Sequence, residues 1–406
     1  MNGLARRLDL SARQATALLG ILAVALATRL GWLLAHAPGL ASGTHDELGY
    51  AEMARQLITR GVYGYYSTTP NAFVTPGYPL FVTGVFKVAD MFGATPSGEF
   101  IALRVAQMLL GVLAVWLTFV LGRRIGGARV GLLTAAVAAL YPSAWMAQSR
   151  LLTESLFTAL FLGWLLLALT LRERRAWQYH AALGALLAVL VLVRPTVALL
   201  GIVLYALDLA ENRDWRFALN SLVALLAFCL VMSPWWIRNR VVLHETVLLA
   251  TQTGNPFLRG TDPWDPYDHI GPSIIAGVAP ADMQRVGIER VKAGLRDHPA
   301  EYIAWFTVGK WWYLWRMPWY EATWFSKMLH WVFVLGLGWI GVAAGLFSRK
   351  TRLLAWSVVA ITVAQLAFIP IPRYMYPLTP LMMLLAAWVI FAAWDRWSGG
   401  GDLNRR

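Results

Sequence analysis

The stretch "LLGVLAVWLTFVLGRRIGGARVGLLTAAVAAL", Leu109–Leu140, decides the fold of this chain. Two apolar blocks flank a short segment that carries Arg123, Arg124 and Arg129. An apolar run of about 18 residues or more reads as a transmembrane helix. Basic residues gather in the short cytoplasmic connections between such helices. Working outward, apolar runs recur at roughly 15–37, 101–121, 130–148, 151–171, 180–193, 196–210, 217–236, 328–347, 353–370 and 377–394. Composition agrees. Of 406 residues 58% are hydrophobic and only 14% charged, where a soluble domain is about a quarter charged. The formal charge of +13 does not point to nucleic acid, because the basic residues are scattered between apolar runs with no basic helix or zinc-finger spacing.

Placing the N-terminus inside puts every short basic connection on one side. Arg172, Arg174 and Arg175 follow the first basic turn, then Arg213 and Arg216, then Arg349, Lys350 and Arg352, and the tail ends in Arg405 and Arg406. The expectation is an all-α polytopic membrane protein of about ten spans with both ends cytoplasmic. The two shorter runs near 180–210 read as a broken pair. Arg6, Arg7 and Arg13 before an apolar run, with "AHA" at Ala35–Ala37, resemble a signal peptide. The run is long for one, so it reads as an uncleaved first span. Residues 1–406 form one membrane domain with no separate soluble domain. The single Cys229 leaves no disulfide to form within the chain.

The opposite side receives two long segments, 38–100 and 237–327. The first holds "GTHDELGYAEMARQL", Gly43–Leu57, in which Thr44 to Glu47 fits a capping box. The second holds "TGNPFLRGTDPWDPYDHIG", an amphipathic helix around Asp282–Leu295, and the aromatic run Tyr302–Trp315 with Lys310 and Arg316. Such aromatic runs lie in the headgroup layer.

Several charges are costly where they stand. Arg29 falls in the outer half of the first span, Arg150 and Glu154 interrupt the turn between the third and fourth, Arg194 separates two apolar runs, and Arg373 precedes the last. An arginine at the bilayer centre costs about 2.5–3.5 kcal/mol on insertion scales. Snorkelling is the structural alternative, but all four guanidiniums share the outer side with several acids. Guanidinium matches phosphate oxygens and stays ionised. A lipid phosphate carrying a sugar places its phosphate at headgroup depth. As the glycosidic bond breaks, that phosphate gains charge, which cations stabilise selectively. A carboxylate must then take the acceptor's proton, and Asp46 or Glu47 can do so.

The ordered set "DELGYAEMARQL", "TPGYPLF", "SRLLTESLF", "RPT", "PWWIRNRVV" and "PRYMYPLTP" resembles the GT-C membrane glycosyltransferases. The branch is that of protein O-mannosyltransferases and the aminoarabinose transferase of lipid A. The resemblance covers most of the chain. It implies an inverting, metal-independent transfer from a polyprenyl-phosphate sugar to a lipid, glycan or protein acceptor, at the extracytoplasmic face of a bacterial-type inner membrane, with no cofactor. By the same resemblance Asp46 is the catalytic base and Glu154 the second-loop acid. Glu47, Tyr50, Arg29, Tyr78, Arg150, Arg194, Lys310, Arg373 and Tyr374 fall in the substrate-binding set. Two departures stand out. Thr75-Pro76-Gly77 replaces the Lys-Pro-Pro of the aminoarabinose transferases, and the sizeable soluble C-terminal domain of relatives is not matched.

Other motifs carry less. Asp262, Asp265, Asp268 and His269 lack EF-hand spacing and read as a turn-rich loop. The seven histidines lack H-E-x-x-H spacing, and no G-x-x-x-x-G-K motif supports ATP-driven transport. The rival class is a transporter or flippase of a lipid-linked or anionic substrate, which calls for mid-membrane ionisable residues and internal symmetry. The chain shows one broken pair, at Arg194-Pro195, and no second.

Overall fold

The computed structural model describes residues 10–36, 45–174, 176–252, 254–263, 273–319 and 323–398. Among them every regular element is helical. The first helix, α1 (Ala12–His36), spans the first apolar run without interruption. In the first long segment follow α2 (His45–Arg60) and α3 (Gly77–Met91). Next comes α4 (Pro96–Leu140), whose Thr95 side chain accepts the Gly98 N–H at 3.3 Å while a proline takes the first turn.

At 45 residues α4 is not one rod. Gly127 adopts a left-handed φ of +82° after a non-helical Gly126, and the chain doubles back. A Cβ on Gly131 would lie 2.7 Å from the Phe119 carbonyl oxygen and 2.9 Å from the Arg123 nitrogen. The two limbs of the opening stretch therefore pack as a tight hairpin on small residues, with the three arginines at its turn.

Then come α5 (Pro142–Ser149), α6 (Glu154–Arg174) and α7 (Trp177–Val193). A single 3-10 turn, Pro195–Val197, separates α7 from α8 (Leu200–Asn212), so the broken pair is real. A short α9 (Trp215–Leu219) leads into α10 (Ser221–Val242). The second long segment carries α11 (Gly254–Arg259), the amphipathic α12 (Met283–Asp297), α13 (Pro299–Ala304) and α14 (Lys310–Trp315). Ile303, Val308 and Trp312 are exposed there, as an interfacial segment requires. The last bundle is α15 (Trp324–His330), α16 (Leu337–Phe347), α17 (Arg352–Gln365) and α18 (Thr379–Trp397).

Seven described stretches are long and apolar enough to cross a membrane, with α7 and α17 as shorter apolar helices. Ten spans are thus not established by helix length. The α4 hairpin counts as a single element, and α7 and α17 have only 17 and 14 residues. The core is centred on α18, where every residue from Thr379 to Ala387 is buried. A helix apolar on all sides belongs at the centre of a bundle.

The two ends of the bundle differ. At one end Glu211, on α8, pairs with Arg349 at 3.4 Å and Arg352 at 3.0 Å. At the other end the two long segments join. Thr251 and Gln252 donate backbone N–H groups to the Ala72 and Phe73 carbonyls at 2.9 and 3.2 Å. Ile369 donates to Pro256 at 2.8 Å, tying in the connection before α18.

Candidate active site

Asp46 and Glu47 lie in the first turn of α2, where the positive end of the helix dipole favours acids. Thr44, the other half of the expected capping box, lies outside the described residues. The two carboxylates then diverge. Glu47 is buried and accepts the Leu151 N–H at 3.0 Å and Arg150 Nη1 at 3.3 Å. Asp46 keeps 38% of its side chain exposed. Its Oδ2 accepts Arg373 Nη1 at 2.8 Å, and its Oδ1 accepts the Tyr65 hydroxyl at 3.3 Å.

Glu154 opens α6 and has no exposed side-chain surface. One oxygen, Oε1, accepts both Arg373 Nε at 2.5 Å and Arg194 Nη2 at 2.6 Å. Arg194 Nε also donates to Thr153 Oγ1 at 3.0 Å. The α7–α8 break explains how Arg194 reaches this place. Proline at 195 disfavours helical backbone at the residue before it, and Arg194 is extended at φ −147°. Its guanidinium lies 5.7 Å from the Phe157 ring and 5.8 Å from the Tyr374 ring, cation–π distances. Two acids and two guanidiniums thus form one linked group: Asp46, Arg373, Glu154, Arg194.

Three of the four, Asp46, Arg194 and Arg373, line a cavity of about 200 Å³ together with Thr153, Gln252 and Tyr374, among others. Tyr50 also lines it, its ring edge-on to Tyr65 and Tyr78 at 5.7 and 4.9 Å. Burial, and then the Asp46 charge, push the Tyr50 and Tyr65 phenols up from their ordinary pKa. Both therefore stay protonated, and Tyr65 donates to Asp46.

Behind the cavity lies a second layer. Tyr78 donates to Gln107 Oε1 at 3.0 Å, and Gln107 Nε2 donates to the Gln148 and Arg150 carbonyls at 3.1 and 2.7 Å. With Glu47 and Arg150 this layer fixes the 148–153 turn. Two residues expected in the binding set stand apart from the cavity. Arg29 gives its Nη groups to the Ala25, Ala138 and Ala139 carbonyls. Lys310 is fully buried, donating to the Leu366 carbonyl at 2.8 Å with its ammonium 3.6 Å from the Phe306 ring centre.

Among the described residues no three His, Cys, Asp or Glu side chains group as metal ligands. Asp262 faces Arg290 at 3.9 Å. Asp265, Asp268 and His269 lie outside the described residues.

Residues 74–237 match the family model of dolichyl-phosphate-mannose-protein mannosyltransferases. No curated protein matches the sequence significantly. Solved structures are similar over nearly the whole chain. ArnT from Cupriavidus metallidurans bound to undecaprenyl phosphate superposes with a TM-score of 0.56 at 18% identity, covering 94% of this chain and 62% of that one. Its apo state gives 0.59 at 18%, covering 96% and 63%. AglB from Archaeoglobus fulgidus, in complex with an inhibitory peptide and a dolichol-phosphate, gives 0.58 at 13%, covering 97% and 52%. Both are GT-C glycosyltransferases.

The chain has the GT-C fold.

It spans about three fifths of the ArnT chain and half of the AglB chain. Within this GT-C frame the structure adds three site residues that the sequence alone does not single out: Thr153 and Gln252 on the cavity wall, and Tyr65 on Asp46. Thr153 lies in the "SRLLTESLF" stretch, one residue before Glu154, and its hydroxyl is a readable partner for an arginine. Tyr65 and Gln252 carried no such signal. Their positions depend on how two loops nearly 180 residues apart along the chain pair with each other, as the Gln252–Phe73 contact shows.

Proposed function

We propose that the chain is an inverting glycosyltransferase that moves a sugar from a polyprenyl-phosphate donor to an acceptor at the extracytoplasmic face. The observation that carries this reading is Asp46: a partly exposed carboxylate that shares one cavity with Arg194 and Arg373, the second of which is bonded to it at 2.8 Å. The donor phosphate binds these guanidiniums through their free N–H groups, since each uses part of its donor set on Glu154. Glu154 acts from behind, as the buried anion that holds both arginines in place.

The acceptor hydroxyl attacks the anomeric carbon from the face opposite the phosphate. Asp46 takes the hydroxyl proton as the new bond forms. The bond from the anomeric carbon to the phosphate oxygen breaks, its electron pair goes to the phosphate, and configuration inverts. The arginines interact more strongly with the departing phosphate than with the diester, which lowers the barrier. Phosphate leaves without a general acid, and the guanidiniums supply the positive charge.

That ArnT binds undecaprenyl phosphate and AglB a dolichol-phosphate supports the donor class. Thr75 in place of the lysine expected of aminoarabinose transferases argues for an acceptor other than lipid A. The test is Asp46→Asn in the purified protein. Sugar transfer should be lost. Binding of undecaprenyl phosphate, followed by thermal shift, should persist or strengthen, because Arg373 loses a competing anion. Full transfer activity in this variant would remove Asp46 as the base.

A further inference from the structure

A second cavity, of about 20 Å³, lies inside the bundle and is lined by Arg29, Tyr141, Gln148, Ser155, Tyr376 and Met383, among others. Three polar atoms on its lining residues have no hydrogen-bond partner in the protein: Arg29 Nε, Gln148 Oε1 and Ser155 Oγ. All three side chains are at least nine-tenths buried. Buried polar groups left unmatched cost about 1–3 kcal/mol each, so three at one cavity point to an occupant.

The donor and acceptor types select it. Arg29 Nε–H can only donate, so the occupant must accept. Gln148 Oε1 can only accept, so the occupant must also donate. The Gln148 side-chain N–H donates to the Tyr376 hydroxyl oxygen, which leaves the amide oxygen as the orphan. A halide cannot donate to Gln148, and a metal cation is repelled by the guanidinium. Water meets both needs, Ser155 supplies a third contact, and the volume suffices for one molecule.

We propose that this cavity is a buried-water site that positions the active-site turn. Gln148 and Ser155 bracket the segment that holds Arg150, Thr153 and Glu154. One water bonded to both and to Arg29 ties the two ends of that turn to α1. The α1 guanidinium is itself fixed, since its Nη groups hold the carbonyls of Ala138 and Ala139 at the end of α4. This accounts for a charged residue inside a span that does not line the donor cavity, and it does not depend on the sugar or the acceptor.

Hydroxyl-radical footprinting by synchrotron radiolysis tests the site, because radicals form from water wherever it resides. Met382 and Met383 are neighbours in sequence and both essentially fully buried, yet only Met383 lines the cavity. In the purified full chain Met383 should be oxidised several-fold faster than Met382. Equal, slow oxidation of the two would overturn the proposal. Ser155→Val fills the cavity and should reduce Met383 oxidation to the Met382 level, whereas undiminished oxidation in a folded variant counts against it. If that variant does not fold, the comparison within the native chain decides alone. Bromide soaked into crystals should give no anomalous peak at the cavity, and a peak there would replace water by an anion.

Discussion

Asp46 and Glu47 are consecutive residues of one helical turn, and the backbone sends them to different tasks. Their pairing as acids at a helix start was legible in the sequence, and so was the gathering of Arg150, Arg194 and Arg373 on one side. What was not legible is which acid each arginine meets, because those contacts join residues as much as 327 positions apart, as Arg373 and Asp46 show. Glu154 is the sharpest case. The resemblance made it a second acid of the reaction, while the structure buries it between two guanidiniums. Removing one partner of a buried ion pair costs about 3–5 kcal/mol, because the remaining charges lose their compensation. Glu154→Ala should therefore lower the thermal midpoint strongly as well as abolish lipid-phosphate binding. A variant as stable as the native chain would show that Glu154 does not hold the arginines. Lys310 makes a pH prediction. Burial pushes its ammonium down to about 7. The unfolded chain, with an ordinary lysine near 10.4, binds more protons than the folded one between these values. Stability contributed by this residue is therefore poorest below pH 7 and rises as pH increases toward 10. Lys310→Met should flatten that rise in thermal unfolding measured from pH 6 to 9, and an unchanged profile would leave Lys310 without this role.

Elements were the most legible level, because a membrane demands long apolar runs and closes every backbone hydrogen bond within a helix. The runs at 15–37 and 151–171 became α1 and α6 almost unchanged. The amphipathic helix around Asp282–Leu295 became Met283–Asp297. The harder cases are those where apolar length alone does not separate a span from a broken rod. The Arg194-Pro195 break could be read, since proline and its preceding residue both resist helix. The α4 turn on Gly127 and the close approach of α7 to α10 could not, because they depend on which small residue faces a neighbour. Two glycines test this. A Cβ on Gly184 of α7 would lie 2.7 Å from the Ala224 Cα of α10, while one on Gly163 of α6 would meet nothing within 4 Å. Gly184→Ala should force the helices apart and destabilise by about 1–3 kcal/mol, the usual cost of overpacking. Gly163→Ala should be neutral or stabilising by up to about 1 kcal/mol through helix propensity. Thermal unfolding in one detergent compares them, and equal effects would mean that α7 and α10 do not pack on Gly184.

The whole molecule is polarised along the bundle axis. The 21 residues of α6 rise about 31 Å at 1.5 Å each, which is about the thickness of the hydrocarbon core. Glu154 starts that helix at the cavity, so the other end lies a membrane's width away. There the α8 terminus and the α16–α17 turn are joined by Glu211 with Arg349 and Arg352. The Glu211–Arg349–Arg352 cluster and the cavity therefore occupy opposite ends, and the orientation we propose puts the basic end in the cytoplasm, as the positive-inside rule favours. In that proposed orientation the cavity opens outward, where a sugar already carried across on its lipid would be within reach. A transporter would need its ionisable group at mid-depth and free to switch partners, whereas here Arg194 at the helix break is bonded to Glu154 at the bundle's end. Cysteine labelling tests the orientation directly, since Cys229 is the only native thiol and Cys229→Ser clears the background. Arg60→Cys, at the exposed end of α2, should react with a membrane-impermeant maleimide in intact cells whose outer barrier has been permeabilised. Arg349→Cys should react only after the membrane is broken. The opposite pattern would turn the molecule over, place the carboxylate and both arginines in the cytoplasm, and require the sugar to be transferred before its lipid carrier crosses.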